Sequence, residues 1–293
     1  MTNNISSNEQ QYIKPSTNAI VGGVVVGGLT SFAIRVPHAF IAPETMKKMQ
    51  NICNNLSKDE FKQVDKALDA TLNKSGLKQK GVEILKYTKK NAKKITSIIN
   101  KEIEQEKFIP KFIRKIRAEL FNIQLKMGMN AFYSSISNKV VLPEKKLGLA
   151  AFHEMGHAMN ANMSKIGKAL QKCRKATILT VPIALIALLK TKKAPGEQPK
   201  DALDKTTTFV KNNAGKLTFA ACLPMLIEEG LASIKGNKFA KQFLKPELAQ
   251  KVAKTNALAF STYLLAAVLG SIGIHYGVKA KDSIARNKLA SEN

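Results

Sequence analysis

The pentapeptide His153-Glu154-Met155-Gly156-His157 constrains this chain more than any other feature. On a helix, residues i and i+4 stand one turn apart on the same face. Both imidazoles can then reach one metal ion, and the glutamate between them lies beside it. There a carboxylate can take a proton from a metal-activated water and pass it to a leaving amine. The spacing therefore predicts a helix, a Zn²⁺ ion held by His153 and His157, and Glu154 as general base. The chain has four histidines, and two of them fall in this pentapeptide.

The flanking sequence predicts where that helix sits. Pro143 and Glu144 read as its start, with proline in the first turn and an acid at the positive end of the dipole. Leu147, Leu149, Ala150, Ala151 and Phe152 predict that it is buried. Upstream, residues 131–136 and 139–142 are β-prone, and Ser137-Asn138 between them reads as a tight turn. A hairpin edge at that place can pair with an extended peptide and hold it over the metal.

Catalytic zinc takes three protein ligands and keeps one position open. The third ligand does not follow His157 in an H-x-x-G-x-x-H extension, because the next residues are Ala158-Met159-Asn160-Ala161-Asn162. His38 and His275 border apolar stretches far away along the chain. The better candidate is the pair Glu228-Glu229, set in the apolar run Leu226-Ile227-Glu228-Glu229-Gly230-Leu231-Ala232-Ser233. Two adjacent carboxylates are costly to bury without a partner, and a zinc ion is a suitable one.

An H-E-x-x-H helix followed by a later Glu-x-x-Ala helix resembles the gluzincin pattern. Asn130-Ala131-Phe132, Val140-Val141 and Leu149-Ala150-Ala151-Phe152-His153-Glu154 look like the membrane-embedded HtpX and CAAX prenyl protease group. The resemblance covers residues 130–163 and 226–240. It implies a zincin-like metallopeptidase core with His153 and His157 as ligands, Glu154 as base and Glu229 as third ligand, with Glu228 as the alternative. The family's aspartate after the alanine is Ser233 here, so the support it gives a zinc-bound histidine must come from something else.

The formal net charge of +26 admits attraction to anionic lipid, nucleic-acid binding or a general lysine bias. The lysines are dispersed, there is no Trp, and no zinc-finger, RNP or phosphate-loop signature occurs. Stacking platforms for nucleic acid are therefore not expected. Cys53, Cys173 and Cys222 are odd in number and widely spaced, which predicts no disulfide framework.

Residues 255–278 carry no charge and are long enough to span a bilayer. Residues 15–34 form a second candidate span. Two shorter apolar runs, 176–189 and 217–227, each contain a proline and fall short of a span, reading as an interfacial hairpin or as core. The basic stretch 35–127 favours a cytoplasmic active site.

Residues 57–106 read as helices, opened by a capping box at Ser57 and Glu60. Residues 107–126 read as a basic amphipathic helix that either lies on a membrane surface or packs on the core. The expected domains are an N-terminal segment (1–38), a basic helical region (39–127), a metallopeptidase core (128–244) with a hydrophobic insert (164–227), and a C-terminal membrane helix and tail (245–293).

These readings combine into a mainly α fold with a small β-hairpin or sheet beside the active-site helix and membrane-associated helices. The expected function is a membrane-associated zinc endopeptidase acting on a protein or peptide. Tyr133, His275 and Tyr263 are candidate oxyanion stabilisers. The alternative is a non-catalytic membrane scaffold or binding protein with a structural or vestigial zinc site. Ser233 favours that alternative, while the intact Glu154 opposes it. A third reading is a metal-free binder of membrane surfaces or nucleic acid.

Overall fold

The computed structural model describes residues 44–45, 47–105, 111–144, 146–190 and 198–292, with backbone alone at 113 and 285–292. The candidate span 15–34, His38 and most of the loop 194–199 lie outside them. The chain divides into two compact units. One comprises residues 44–176 with Cys222–Leu265, and the other comprises residues 177–221 and 266–292.

The first unit is built on three strands, β1 (Glu83–Tyr87), β2 (Phe132–Ser134) and β3 (Lys139–Pro143). β3 lies in the middle, parallel to β1 from Glu83 opposite Lys139 to Tyr87 opposite Pro143, and antiparallel to β2. β2 ends at Ser134, short of the expected 131–136, so the hairpin turn spans residues 135–138 and includes the expected Ser137-Asn138, with Asn138 at φ 57°, a backbone region asparagine tolerates. The sequence reading of 57–106 as helices is corrected over 83–87 by β1. Its Ile84-Leu85 run follows Gly81, which turns the chain at φ 75°, and its hydrogen-bond partners lie more than fifty residues away. Such a partner leaves no local periodic signal.

Around the sheet pack α1 (Lys58–Lys74), α2 (Ala92–Glu104), α3 (Lys111–Lys126) and α4 (Ala151–Met163), and α5 (Lys165–Cys173) packs on α4. The capping box at the start of α1 forms as expected: Ser57 Oγ accepts the Glu60 N–H, and the Glu60 carboxylate accepts the Ser57 N–H. The expected helix start at Pro143 is corrected. Pro143 is the last residue of β3, because Val140-Val141-Leu142 carry the strand up to it. The chain then turns through Leu147, a buried residue at φ 56°, into a 3-10 turn (Gly148–Ala150) that leads into α4. Leu147 is held there by its N–H donating to Asn54 Oδ1 at 3.3 Å.

Further along lie α6 (Thr180–Leu189), α7 (Ala202–Asn212), α8 (Ala214–Phe243) and α9 (Pro246–Glu292). The apolar run 217–227 is therefore not a short element but part of a 30-residue helix that accommodates Pro224. The expected span 255–278 lies inside the 47-residue α9. Both α8 and α9 (over Pro246–Ile284) are long and apolar enough to cross a membrane. Only 39% of the apolar window of α8 and 17% of that of α9 are buried, so much of each presents its apolar side chains outward.

The main core of the first unit gathers Val64 and Leu68 of α1, Val140 and Leu142 of β3, Phe152, Met155 and Met159 of α4, and Ala240 of α8. A second cluster, Ile95 and Ile99 of α2 with Ala118 and Leu125 of α3, covers Val141 on the other side of the sheet.

Candidate metal centre

Two glycines set the distance between α4 and α8. A Cβ placed on Gly156 would lie 2.0 Å from the Ala232 carbonyl oxygen, and one on Gly236 would lie 2.5 Å from that of Phe152. The helices therefore meet backbone to backbone, at the residue before each histidine. That approach brings the side chains of Glu228, Glu229 and Ser233 onto the His153–His157 face. His153, Glu154, His157, Glu228, Glu229 and Ser233 are all buried.

Three atoms converge. His153 Nε2 lies 3.0 Å from His157 Nε2 and 3.0 Å from Glu229 Oε2, and His157 Nε2 lies 3.5 Å from Glu229 Oε2. Ligands about 2.0 Å from one tetrahedral ion stand about 3.3 Å apart. The triangle is of that size.

The opposite nitrogen of each ring is occupied. His153 Nδ1 is 3.2 Å from Ser233 Oγ, and His157 Nδ1 is 2.8 Å from Glu228 Oε1. With the proton on Nδ1 in both rings, each donates outward and turns its Nε2 lone pair toward the triangle. Ser233 thus does for His153 what an aspartate would do, with a neutral acceptor. Glu228 does the same for His157 with a charged one.

The carboxylates are themselves held. Glu228 Oε1 also accepts from Asn160 Nδ2 (3.0 Å) and Gln171 Nε2 (3.2 Å). Arg174 bridges the pair: Nη1 donates to Glu228 Oε2 at 2.9 Å, and Nη2 donates to Glu229 Oε1 at 2.6 Å. This leaves Glu229 Oε2 as the oxygen facing the histidines. Glu154, Glu228 and Glu229 crowd three carboxyl groups into a buried space where Arg174 is the hydrogen-bonded cation, and in the metal-free protein the His157 proton offsets part of their charge. A divalent cation in place of that proton would compensate the carboxylates more fully, and an uncompensated buried charge is costly. The groups His153–Glu154–His157 and His157–Glu228–Glu229 can each hold a metal ion.

The protonation equilibria follow. Burial pushes the Glu154 carboxyl above its ordinary value, against the pull of the two histidines. Burial alone would lower His157, but its hydrogen bonds to Glu228 and Glu229 raise it to about 10. Burial likewise opposes the Arg174 charge, and Glu229 and Glu228 outweigh it, holding the guanidinium above its usual range.

The residues expected from sequence are distributed as follows. His153, Glu154, His157, Glu228, Glu229 and Ser233 come together in the first unit. Tyr133 belongs to the same unit, but its hydroxyl donates to Asn138 Oδ1 at 2.6 Å and accepts from Asn162 Nδ2 at 3.0 Å. The half-buried Tyr263 lies within electrostatic reach of Glu229, Glu154 and Arg174. His275 belongs to the other unit, where it packs beside Gly215 and against Tyr276.

Sequence reasoning did not find Arg174, Asn160 or Gln171. Arg174 carries a signal in retrospect: it is one of five arginines among 47 basic residues, and the rigid guanidinium fork suits carboxylate pairing better than an ammonium does. Asn160 and Gln171 carry none. Neither a protein-family model, nor a curated protein, nor a solved structure matches this chain.

Proposed function

We propose that this protein is a membrane-associated zinc endopeptidase of gluzincin type. His153, His157 and Glu229 would hold the zinc, and Glu154 is the general base. The observation that carries this reading is the triangle of His153 Nε2, His157 Nε2 and Glu229 Oε2, with edges of 3.0, 3.0 and 3.5 Å. Glu228, whose nearest ring atom is His157 Nδ1, orients that ligand and does not bind the ion.

When bound, zinc supplies Lewis acidity, which acidifies water and polarises a peptide carbonyl. The chain's own residues do the rest. Glu154 takes the proton from the attacking water and delivers it to the leaving amine, and burial tunes it upward toward working pH. Ser233 and Glu228 keep both imidazoles in the ligating tautomer. Arg174 holds Glu229 to a single facing oxygen. Of Tyr133, Tyr263 and His275, Tyr263 suits the oxyanion best, because its surroundings include Glu154 and Glu229.

Membrane association rests on α8 and α9. α8 carries Glu228 and Glu229 and is also apolar enough to cross a bilayer, and ionisable groups in such a helix mark functional sites. The basic stretch 35–127 favours a site on the cytoplasmic side.

The test uses detergent-purified full-length protein, with zinc content and cleavage of casein as the two readouts. The wild type holds about one zinc per chain, as a three-ligand site requires, and Glu229→Gln loses or weakens it. Glu154→Gln keeps the zinc and loses hydrolysis. No zinc in reconstituted wild type, or hydrolysis that survives Glu154→Gln, refutes the assignment.

A further inference from the structure

Helix α3 is apolar on two opposite faces. Ala118 and Leu125 are buried and, with Phe121, pack toward Ile95, Ile99 and Val141. Phe112, Ile116, Leu120, Ile123 and Met127 recur every three or four residues and so share one stripe. All five are between 48% and 66% exposed. A helix that only covers a core is polar on the side away from it. Five large apolar side chains in one exposed line indicate a surface that something covers.

The surrounding charge says what covers it. Between Lys111 and Lys126 the helix has five basic residues and one acidic residue, Glu119. Lys115 and Lys126 are exposed along one flank of the stripe, where Glu119 also lies, and Lys111 is exposed at the start of the helix. At the C-terminal end of α3, Lys126 joins Lys93 and Lys101 with Thr96, Ser97 and Asn100 around a cleft of about 520 Å³, which Glu104 also borders. A second copy of a chain of net charge +26 would bring the same positive charge against this face. An anionic bilayer brings the opposite charge together with an apolar interior.

We propose that α3 is an interfacial helix that lies on the surface of an anionic membrane. The Phe112–Met127 stripe sits at the boundary of headgroups and acyl chains. The flanking lysines and the cleft at Lys93, Lys101 and Lys126 contact anionic headgroups. This is a second membrane contact, separate from α8 and α9 and independent of the metal. It anchors the sheet-bearing unit against the bilayer from which a membrane peptidase draws its substrate.

The chain contains no Trp, so Ile116→Trp creates a unique fluorescent reporter on an exposed position. Leu120→Trp is a second one. The full-length variants are reconstituted into phosphatidylcholine vesicles with or without phosphatidylserine. With phosphatidylserine, the emission shifts to the blue, acyl-chain bromine near the headgroups quenches it, and iodide does not. In neutral vesicles or high salt it returns toward that of water-exposed Trp. Lys115→Gln and Lys126→Gln each weaken docking about fivefold.

Iodide quenching undiminished on anionic vesicles overturns the proposal. So does a blue shift that grows with protein density and ignores brominated lipid, because another copy then covers the stripe. Zinc and hydrolysis are measured on the same samples. Full activity with a water-exposed reporter sinks the interfacial helix alone, and a docked reporter on zinc-free protein sinks the peptidase reading alone.

Discussion

His157 sits between two carboxylates, Glu228 at Nδ1 and Glu229 beyond Nε2. In metal-free protein this raises its pKa from 6.5 to about 10. A raised histidine contributes stability that is complete below the unfolded value and is lost as pH climbs through the folded one. The buried Glu154, also raised, acts with the same sign, because its ionisation above the ordinary carboxyl range is disfavoured only in the folded state. The thermal midpoint of chelator-treated protein is therefore expected to fall between pH 6.5 and about 10. A midpoint that is flat or rises across that window contradicts the geometry. Zinc must displace the His157 proton, so zinc affinity rises with pH over the same range. Removing an orienting group has its own signature. Ser233→Ala leaves His153 Nδ1 without its acceptor and is expected to weaken zinc binding about 10- to 100-fold. Competition with a chelator of known affinity measures this, and an unchanged affinity removes Ser233 from the site. The histidines, Glu154 and Glu229 were legible at this scale because their chemistry demands fixed spacing or an apolar setting. The gluzincin resemblance favoured Glu229 over Glu228, whereas the residues alone left that choice open, since neighbouring residues on a helix point about 100° apart and only the partner helix decides between them.

The approach of α4 to α8 is the structural element on which the site depends. Gly156→Ala would drive a Cβ to 2.0 Å from a backbone oxygen that no rotamer change can move. The helices must separate, at a cost of about 3 kcal/mol at the upper end for overpacking. Gly236→Ala does the same from the other helix, toward Phe152. Both variants are expected to unfold at lower temperature and also to bind zinc less tightly. Thermal unfolding with and without zinc checks this, and a Gly156→Ala protein with wild-type affinity refutes the helix contact. The H-E-x-x-H pattern leaves its third and fourth positions open, so nothing in the motif marks Gly156 as required. Its role appears only when Ala232, 76 residues later, is placed against it. The same limit explains the missed β1 strand, whose partner β3 is distant in sequence. The Ser57 cap and the Asn138 turn were readable because their partners lie within a few residues.

At the scale of the whole molecule, charge and hydropathy act together. The chain carries 47 basic residues against 21 acidic ones, yet α8 and α9 each contain an apolar stretch of membrane-spanning length. Membranes containing the protein are expected to retain it through extraction with high salt and alkaline carbonate, both of which strip proteins held by charge alone. Release by either removes α8 and α9 as spans. Metal removal is also felt by the fold, because an ion that binds only the native state stabilises it by about 2.7 kcal/mol at a hundredfold excess over its dissociation constant. Chelation is expected to lower the melting temperature of wild type and to leave that of Glu229→Gln little changed. The sequence by itself determined the features that rest on short-range periodicity: the helix that carries His153 and His157, the β2–β3 hairpin, the capped α1 and the apolar lengths of the C-terminal half. Only the tertiary structure decided that Ser233 and Glu228 back the two histidines, that Arg174 bridges two carboxylates, and that α3 keeps an apolar stripe uncovered. Those outcomes are set by contacts between residues far apart in the chain. Hydrogen-bond direction and burial at such contacts depend on ångström-scale helix placement, which spacing along one strand of sequence does not encode.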